Sequence, residues 1–249
     1  MTAVCTQDEV FGPDPWLRIG SVTLRSRLLV GIEQYTDPDL VSSVLEAAGA
    51  EVFITTYDQT GSRTSLLLSD LDEAVDLDRY IQVGTTSFAT SADSAVRTAH
   101  QLRDAFGIDV IKLDVRDGAN TPDTEATVVA AKRLLAEDFV LLPFIVPDVN
   151  VARELEELGC AAIRLMGSEV ASYRGILDPG RISDCIDHLT IPAVVEGGIG
   201  TPAHVIAAFE LGAAAVLVNT LIAAASDPPG MAGALRLAVL SGGLASRSK

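Results

Sequence analysis

A lysine lies inside an otherwise apolar segment, Asp109–Val115, with an aspartate two positions after it. Alternate side chains of a β-strand point to the same face, so Lys112 and Asp114 share one face when Ile111 and Leu113 occupy the other. An amine in such a place costs free energy unless it is paired or used. One interpretation is a structural ion pair, and the other is an amine that attacks a carbonyl carbon and forms an imine.

A second carboxylate, Glu196, ends another apolar segment that begins at Ile191. If this segment is also a strand, Glu196 points inward at its carboxyl end, where it can meet Lys112. There it either pairs with the amine or moves protons between the carbons of a bound substrate. In both cases we expect Lys112, Asp114 and Glu196 to form one cluster.

A glycine-rich stretch, Gly197–Pro202, leads directly from Glu196 into a predicted helix. Glycine lets the backbone approach a ligand closely, and free N–H groups at the N-terminus of a helix favour an anion. The last apolar segment likewise ends in two polar residues before a helix. We therefore predict a phosphate site in these two loops and at a glycine after the sixth apolar segment, made by Gly167, Gly198, Ile199, Gly200, Asn219 and Thr220.

The remaining polar candidates carry less weight. Arg164 shares its parity with Met166, and we expect it either inside the fold, in contact with a phosphate or hydroxyl group, or in an ion pair of the surrounding helix layer. His100, His188 and His204 fall in predicted helices and form no ligand constellation. We accordingly predict no metal site and no cofactor.

These residues must be positioned by a chain that alternates short apolar segments with amphipathic ones. Eight strands are predicted, at Arg27–Glu33, Glu51–Thr56, Tyr80–Gly84, Asp109–Val115, Phe139–Val146, Cys160–Met166, Ala193–Gly197 and Ala214–Thr220. Predicted helices between them include Pro38–Ala48, Ser91–Phe106, Thr124–Glu137, Val149–Leu158 and Ala203–Leu211. Strands that are apolar on both faces are expected where helices cover a parallel sheet. Eight units favour a closed (β/α)8 barrel, the TIM barrel of the α/β class, over the alternative of an open doubly wound sheet.

The predicted barrel places the candidate site. Catalytic residues of this fold lie at the carboxyl ends of the strands, and phosphate commonly binds in the loops after strands seven and eight. Nothing in the sequence divides the chain, so we expect a single domain over residues 1–249. Residues 1–15 are expected to form a flexible N-terminal arm, and a helical tail, Met231–Leu240, to pack on the barrel.

The composition excludes several classes of function. With 18 Lys and Arg against 34 Asp and Glu, the net charge is −16, which argues against binding to nucleic acid or to an anionic membrane. The sequence contains no apolar run of the roughly 18 residues needed to span a membrane, and its N-terminus lacks the apolar stretch of a signal peptide. Three scattered cysteines indicate reduced thiols, and we expect a cytoplasmic protein.

The chain is similar to the thiazole synthase (ThiG) family from about Trp16 to Leu240. The resemblance is carried by I-K-L-D-V around Lys112, F-V-L-L-P-F at Phe139–Phe144, L-E-E-L-G-C-A-A at Leu155–Ala162, V-V-E-G-G-I-G-T-P-A-H at Val194–His204 and G-A-A-A-V-L-V-N-T at Gly212–Thr220. It implies an imine between Lys112 and a ketose phosphate, with Asp114 and Glu196 as the nearby acids. It also implies sulfur delivered as the C-terminal thiocarboxylate of a small ubiquitin-like carrier protein, and assembly into a homo-oligomer.

This chain departs from the family in the two acids and in the loops around the predicted pocket. The family usually has glutamate where Asp114 stands and aspartate where Glu196 stands, so the two carboxylates have exchanged lengths. Such a change relocates a proton-transfer group on the substrate. The loops that differ are Gly31–Tyr35, which brings Glu33 to the pocket wall, Asp58–Gln59, Thr85–Phe88 and Glu169–Ser172.

The lysine of the family is retained, whereas the loops around the predicted pocket differ. We therefore interpret the chain as an enzyme that carries out the same chemistry on a different sugar. The natural candidate is the thiosugar-forming branch of the family, in which an aldose phosphate such as a hexose 6-phosphate becomes a 2-thiosugar phosphate. The tail of the carrier would reach the mouth of the barrel past Phe88 and Glu169. Three alternatives remain open: a thiazole synthase of thiamine biosynthesis that uses 1-deoxy-xylulose 5-phosphate, an imine-forming aldolase, and a non-catalytic barrel that binds sugar phosphates.

Overall fold

Eight parallel strands form the centre of the computed structural model, which describes residues 6–19, 22–57 and 75–248. An antiparallel pair, β1 (Leu17–Ile19) and β2 (Val22–Leu24), precedes β3 (Leu28–Val30), β4 (Val52–Thr56), β5 (Ile81–Thr85), β6 (Val110–Leu113), β7 (Val140–Ile145), β8 (Ile163–Met166), β9 (Ala193–Glu196) and β10 (Ala215–Val218). The parallel strands follow the order β3-β10-β9-β8-β7-β6-β5-β4, and β3 lies beside β4, so the barrel is nearly closed. The predicted (β/α)8 barrel is confirmed.

Helices cover the outside of the barrel between successive strands. In the described part of the chain they are α1 (Gln7–Phe11), α2 (Pro38–Ala48), α3 (Ala92–Phe106), α4 (Thr124–Leu135), α5 (Val149–Glu157), α6 (Pro179–His188), α7 (Pro202–Glu210), α8 (Thr220–Ala223) and α9 (Pro228–Arg247). Most begin at a capping side chain, as where Ser91 accepts a hydrogen bond from the backbone of Ser94 at the start of α3. No helix among the described residues is long and apolar enough to cross a membrane.

The barrel strands divide the apolar core into two layers, as their alternating side chains require. Ile111 and Leu113 of β6 belong to the layer between strands and helices, whereas Leu29 and Ile54 belong to the layer inside the barrel. The β1–β2 pair and Trp16 close the interior at the end opposite the mouth. The floor is therefore apolar and sealed, and polar chemistry is confined to the carboxyl ends of the strands.

Some predicted strands are longer than the observed ones, because buried residues next to a strand were counted as part of it. The predicted strand Cys160–Met166 begins only at Ile163, since Cys160 and Ala162 are buried but lie in the connection from α5. The expected flexible arm also differs, because Gln7–Phe11 is helical and Val10 is fully buried. Asp58 and Gln59 of the altered second loop lie outside the described residues.

The last helix is longer than the predicted Met231–Leu240 and packs closely on its neighbours. It runs from Pro228 to Arg247 and contacts α2, α7 and α1. At Gly242 a Cβ would lie 2.9 Å from the Cβ of Phe209 and 3.1 Å from the Cα of Ile206, so the glycine sets the distance between α9 and α7. Helix α9 therefore fastens the ends of the chain to the barrel.

Replacing Gly242 with valine should lower the free energy of unfolding by about 1–3 kcal/mol, because the added carbons must push α9 away from α7. The control is Gly233→Ala in the same helix, where a Cβ meets no atom within 4 Å. That change should raise stability by about 0.5–1 kcal/mol through helix propensity alone. Urea-induced unfolding measures both, and a Gly242→Val variant as stable as wild type would refute the close packing.

Candidate active site

The three residues predicted to form a cluster lie together at the carboxyl ends of β6 and β9. Lys112 Nζ is 3.1 Å from Asp114 Oδ2 and 3.3 Å from Glu196 Oε1. All three side chains are at least nine-tenths buried. The parity predicted for both strands is thus what the structure shows, and the amine faces two carboxylates.

Arg164 completes the cluster from β8, inside the barrel and not in the helix layer. Its guanidinium pairs with Asp114 Oδ2 at 2.7 Å and with Glu196 Oε2. It also donates to the carbonyl oxygens of Leu142 at 2.8 Å and Leu113 at 2.9 Å. With these four bonds and 1% side-chain exposure, Arg164 holds the two carboxylates in place and is not directed at a ligand phosphate.

Arg116 is a member of the cluster that the sequence reasoning missed. Its Nη2 lies 2.8 Å from Asp114 Oδ1, and its Nη1 donates to Asn120 Oδ1 at 3.2 Å. The signal was available, because Arg116 continues the alternation of Lys112 and Asp114 by one more step beyond the predicted strand. The arginine therefore shares their inward face.

Asp114 is the most constrained charge of the site. Burial alone would raise its pKa, but Arg164, Lys112 and Arg116 together hold the pKa of this carboxyl well below its usual range. The backbone is fixed as well: Asp114 N donates to Thr86 Oγ1 at 2.8 Å, and that hydroxyl donates to the Asp114 carbonyl at 2.7 Å. The surrounding cations therefore favour the ionised form of Asp114.

Lys112 Nζ has one further contact, to a hydroxyl group in the loop Thr85–Phe88. In the sequence this loop stood out only because it differs from the family. It donates to Ser87 Oγ at 3.3 Å, and Ser87 Oγ lies 2.6 Å from Thr85 Oγ1. Thr85 ends β5 and is buried, which fixes the position of Ser87. The amine thus has carboxylates on one side and a hydroxyl pair on the other.

A cavity of about 240 Å³ opens above this cluster at the barrel mouth. Its walls come from the ends of several strands and the loops after them, and nine of its twelve lining residues are polar or charged: Glu33, Gln34, Ser87, Phe88, Lys112, Arg116, Asn120, Val170, Glu196, Leu217, Asn219 and Thr220 line it. Glu196 is exposed to the cavity, whereas Asp114, beneath Lys112, is not among the lining residues. The two carboxylates of the cluster therefore have different access to a ligand.

A smaller pocket of about 40 Å³ adjoins the cavity and shares its Asn219 and Thr220 wall. Gly198 and Ile199 line this pocket. Gly197 and Gly198 have φ values of 83° and 71°, and a Cβ on Gly198 would overlap Ser168 Oγ, so the loop requires glycine. Close approach of a ligand to this backbone is therefore possible.

The other two residues of the predicted phosphate site use their N–H groups in hydrogen bonds within the protein. The Gly167 N–H donates to the Glu196 carbonyl at 2.8 Å, and the Gly200 N–H donates to His204 Nδ1 at 3.1 Å. Neither residue lines the cavity or the adjoining pocket. Four of the six predicted residues thus line one pocket: Gly198, Ile199, Asn219 and Thr220. Gly167 and Gly200 lie outside it.

No group of three or more His, Cys, Asp or Glu side chains in the described part of the chain could hold a metal ion. Apart from His204, the histidines are on the surface, where His100 Nε2 lies 2.8 Å from Glu137 and His188 Nδ1 lies 2.8 Å from the Asp184 carbonyl. The two described cysteines, Cys160 and Cys185, are buried and free. The groups close to Lys112 and Asp114 are carboxylates, guanidinium groups and hydroxyls.

Comparison with known proteins identifies the family. The family model described as thiazole biosynthesis protein ThiG matches residues 18–249. The chain belongs to the thiazole synthase family. It is 39% identical to the thiazole synthase of Exiguobacterium sibiricum and 38% identical to that of Geobacillus thermodenitrificans, over 92% of this chain and 90% of each relative. The predicted resemblance is confirmed, and the chain is an enzyme of this family.

One solved structure is more similar still. In the crystal structure of the Amycolatopsis orientalis BexX/CysO complex, the matched chain is 55% identical, with a TM-score of 0.92 over 94% of this chain and 96% of that one. A mandelate oxidase mutant matches with a TM-score of 0.61 at 16% identity, covering 94% of this chain and 76% of its own. That second likeness reflects the barrel fold alone.

Asp114→Asn should lower the free energy of unfolding at pH 7 by about 3–5 kcal/mol, because it leaves three buried cations with one carboxylate. The folded pKa lies below the unfolded value of about 3.9, so the contribution of Asp114 is fully present above that pH and is lost as the pH falls below it.

Urea unfolding at pH 7, 5 and 3.5 should therefore show a constant deficit at the first two values and a smaller one at the third. Asp109→Asn is the matched control, since Asp109 pairs with Arg103 at the surface and should cost less than about 1 kcal/mol. Equal losses in the two variants would contradict the buried role of Asp114.

Proposed function

We propose that this chain is a sulfur-incorporating synthase that forms an imine between Lys112 and a sugar phosphate and takes sulfur from a carrier-protein thiocarboxylate. The proposed substrate is a hexose 6-phosphate and the proposed product a 2-thiosugar phosphate. The observation that carries the proposal is the position of Lys112 Nζ at the base of the cavity, beside Glu196 and next to the glycine-loop pocket.

The dimensions of the site suit an open-chain sugar phosphate. The phosphate would occupy the pocket beside Gly198, Ile199 and Thr220, where backbone N–H groups and a hydroxyl group would bind it in place of basic side chains. The carbon chain would then extend through the cavity toward Lys112. An anchored phosphate positions C1 for attack and converts the addition into an intramolecular step.

In this proposal the amine of Lys112 adds to the C1 aldehyde and loses water to give the imine. A proton then leaves C2 and returns at C1, which converts the C2 alcohol into a ketone. The carrier thiocarboxylate adds to the carbonyl carbon at C2 through its sulfur. The acyl group of the carrier then moves from sulfur to the former ketone oxygen, and the carrier leaves as its carboxylate, which takes that oxygen away and leaves a C2 thioketone. A proton then returns from C1 to C2, which restores the C1 imine, and water hydrolyses this imine to free Lys112 and the 2-thiosugar phosphate. The BexX/CysO complex supports a carrier partner, since this chain is 55% identical to the chain matched in it.

We assign the proton transfer from C2 to C1 to Glu196. Its carboxylate is 3.3 Å from Lys112 Nζ through Oε1 and lines the cavity, so it reaches the carbons next to the imine. Asp114 is buried beneath the lysine and bound by three cations, so it orients the amine without exchanging protons with the sugar. One carboxylate within reach of both carbons is sufficient for a 1,2-shift of the proton.

A thiazole synthase that uses 1-deoxy-xylulose 5-phosphate is the second candidate. It is favoured by the similarity to thiazole synthases such as that of Exiguobacterium sibiricum, which is 39% identical to this chain. The same lysine would form the imine, but at the ketone carbon of a shorter sugar with fewer hydroxyl groups. The two candidates differ in the sugar that is trapped on Lys112.

Borohydride reduction with glucose 6-phosphate should attach one sugar phosphate to Lys112, as measured by intact mass and peptide mapping. Lys112→Met should abolish the adduct while inorganic phosphate still binds, because two arginines then face two carboxylates and the cluster stays balanced. Lys132→Ala is the control, since Lys132 pairs with Glu154 on the surface. An adduct with 1-deoxy-xylulose 5-phosphate alone would select the thiazole synthase, and no adduct with either sugar would contradict both.

Glu196→Gln should leave imine formation intact but slow the exchange of the C2 proton with solvent deuterium by about 10²–10⁴-fold. Exchange is followed by NMR or mass spectrometry of glucose 6-phosphate incubated with the enzyme in D₂O. Glu154→Gln, the same change at an exposed position, should leave the exchange rate unaltered. Undiminished exchange in Glu196→Gln would assign the proton transfer to another group.

A further inference from the structure

Two pairs of polar side chains line the cavity but take no part in the imine chemistry. One pair, Glu33 and Asn219, follows β3 and β10; the other, Arg116 and Asn120, follows β6. In the barrel order, β10 and β6 are four strands apart in a ring of eight, so the two pairs stand on opposite walls. Any substrate that reaches Lys112 passes between them.

The first wall offers hydrogen-bond acceptors. Asn219 Nδ2 donates to Glu33 Oε2 at 2.6 Å, which directs the amide oxygen away from that pair. Asn219 Oδ1 is buried without a hydrogen-bond partner among the described residues. The pair rests on Gly31, where a Cβ would lie 2.7 Å from Glu33 Oε2, so the backbone is shaped to bring these side chains together. A ligand that donates hydrogen bonds would satisfy this wall.

The opposite wall offers hydrogen-bond donors. Arg116 is nine-tenths buried, and its Nε–H lacks an acceptor within the part of the chain described. Asn120 accepts from Arg116 through Oδ1, which leaves its amide N–H groups for other partners. Its φ of 61° is held by a turn in which Asp117 Oδ1 accepts from Ala119 N and Thr121 N at 2.9 Å each. The turn therefore holds Asn120 beside the cavity.

An acceptor wall facing a donor wall matches a chain of hydroxyl groups, each of which donates and accepts. An additional anion would be repelled by Glu33, and a deoxygenated carbon would leave a buried polar atom unpaired. We propose that Glu33 with Asn219, and Arg116 with Asn120, form a hydroxyl-recognition subsite that selects polyhydroxylated sugar phosphates over deoxygenated ones. This inference rests on the proposed function, because it concerns the carbons between the imine and the phosphate.

The test uses a ligand without a carbonyl group, so that binding is independent of imine formation. Calorimetry gives the dissociation constants of glucitol 6-phosphate and of its 3-deoxy and 4-deoxy analogues. Wild-type enzyme should bind at least one deoxy analogue about 10- to 100-fold more weakly than the parent. Glu33→Ala and Asn120→Ala should each weaken binding of the parent about tenfold and reduce the penalty for the missing hydroxyl.

Glu154→Ala is the matched surface control and should change none of these constants. Equal binding of the parent and both deoxy analogues by the wild type would overturn the subsite. A loss of inorganic phosphate affinity in Glu33→Ala equal to its loss for glucitol 6-phosphate would also overturn it, because Glu33 would then act on the phosphate pocket. A third outcome separates this inference from the proposed function. If glucitol 6-phosphate binds tightly and its hydroxyl groups matter, but borohydride traps no sugar on Lys112, only the imine chemistry is contradicted.

Discussion

The site depends on five charges that share the carboxyl end of the barrel. Lys112, Arg116 and Arg164 supply three cations against the two carboxylates of Asp114 and Glu196, nearly all out of contact with water. Removing such groups from water costs several kcal/mol each, which only close pairing offsets. Arg164 meets this demand by bonding both carboxylates and two backbone carbonyls at once. The geometry of the amine follows from this network.

The same network gives the two carboxylates different ion pairs and different positions relative to the cavity. Asp114 forms ion pairs with all three cations and lies below the cavity, whereas Glu196 forms ion pairs with two and borders the cavity. The two carboxylates therefore differ in their access to a ligand. Glycines complete the arrangement above the cluster, because the chain turns at the positive φ values of Gly197 and Gly198, lines the small pocket and then enters α7.

Much of the site was predictable from local pattern. The alternation of Lys112 with apolar neighbours indicated an inward amine, and the chain positions of Glu196 and the glycine loop placed them at the same end of the barrel. Arg116 was missed because the predicted strand was considered only to Val115, although the alternation continues. The placement of Gly167 and Gly200 was not predictable, because their N–H groups are used by a carbonyl and a histidine brought close only by the folded loops.

The sequence by itself determined the class of fold, the inward face of each strand and the buried position of Lys112. The fold class follows from the alternation of strand and helix segments, and the inward faces follow from the two-residue period of a strand. Only the tertiary structure decided which charges meet. Arg164 and Asp114 are 50 residues apart, and Glu33 and Asn219 are 186 apart, yet each pair is in hydrogen-bonding contact. Such distances are set by the closure of the ring, which joins the first and last strands, and no local pattern contains that information.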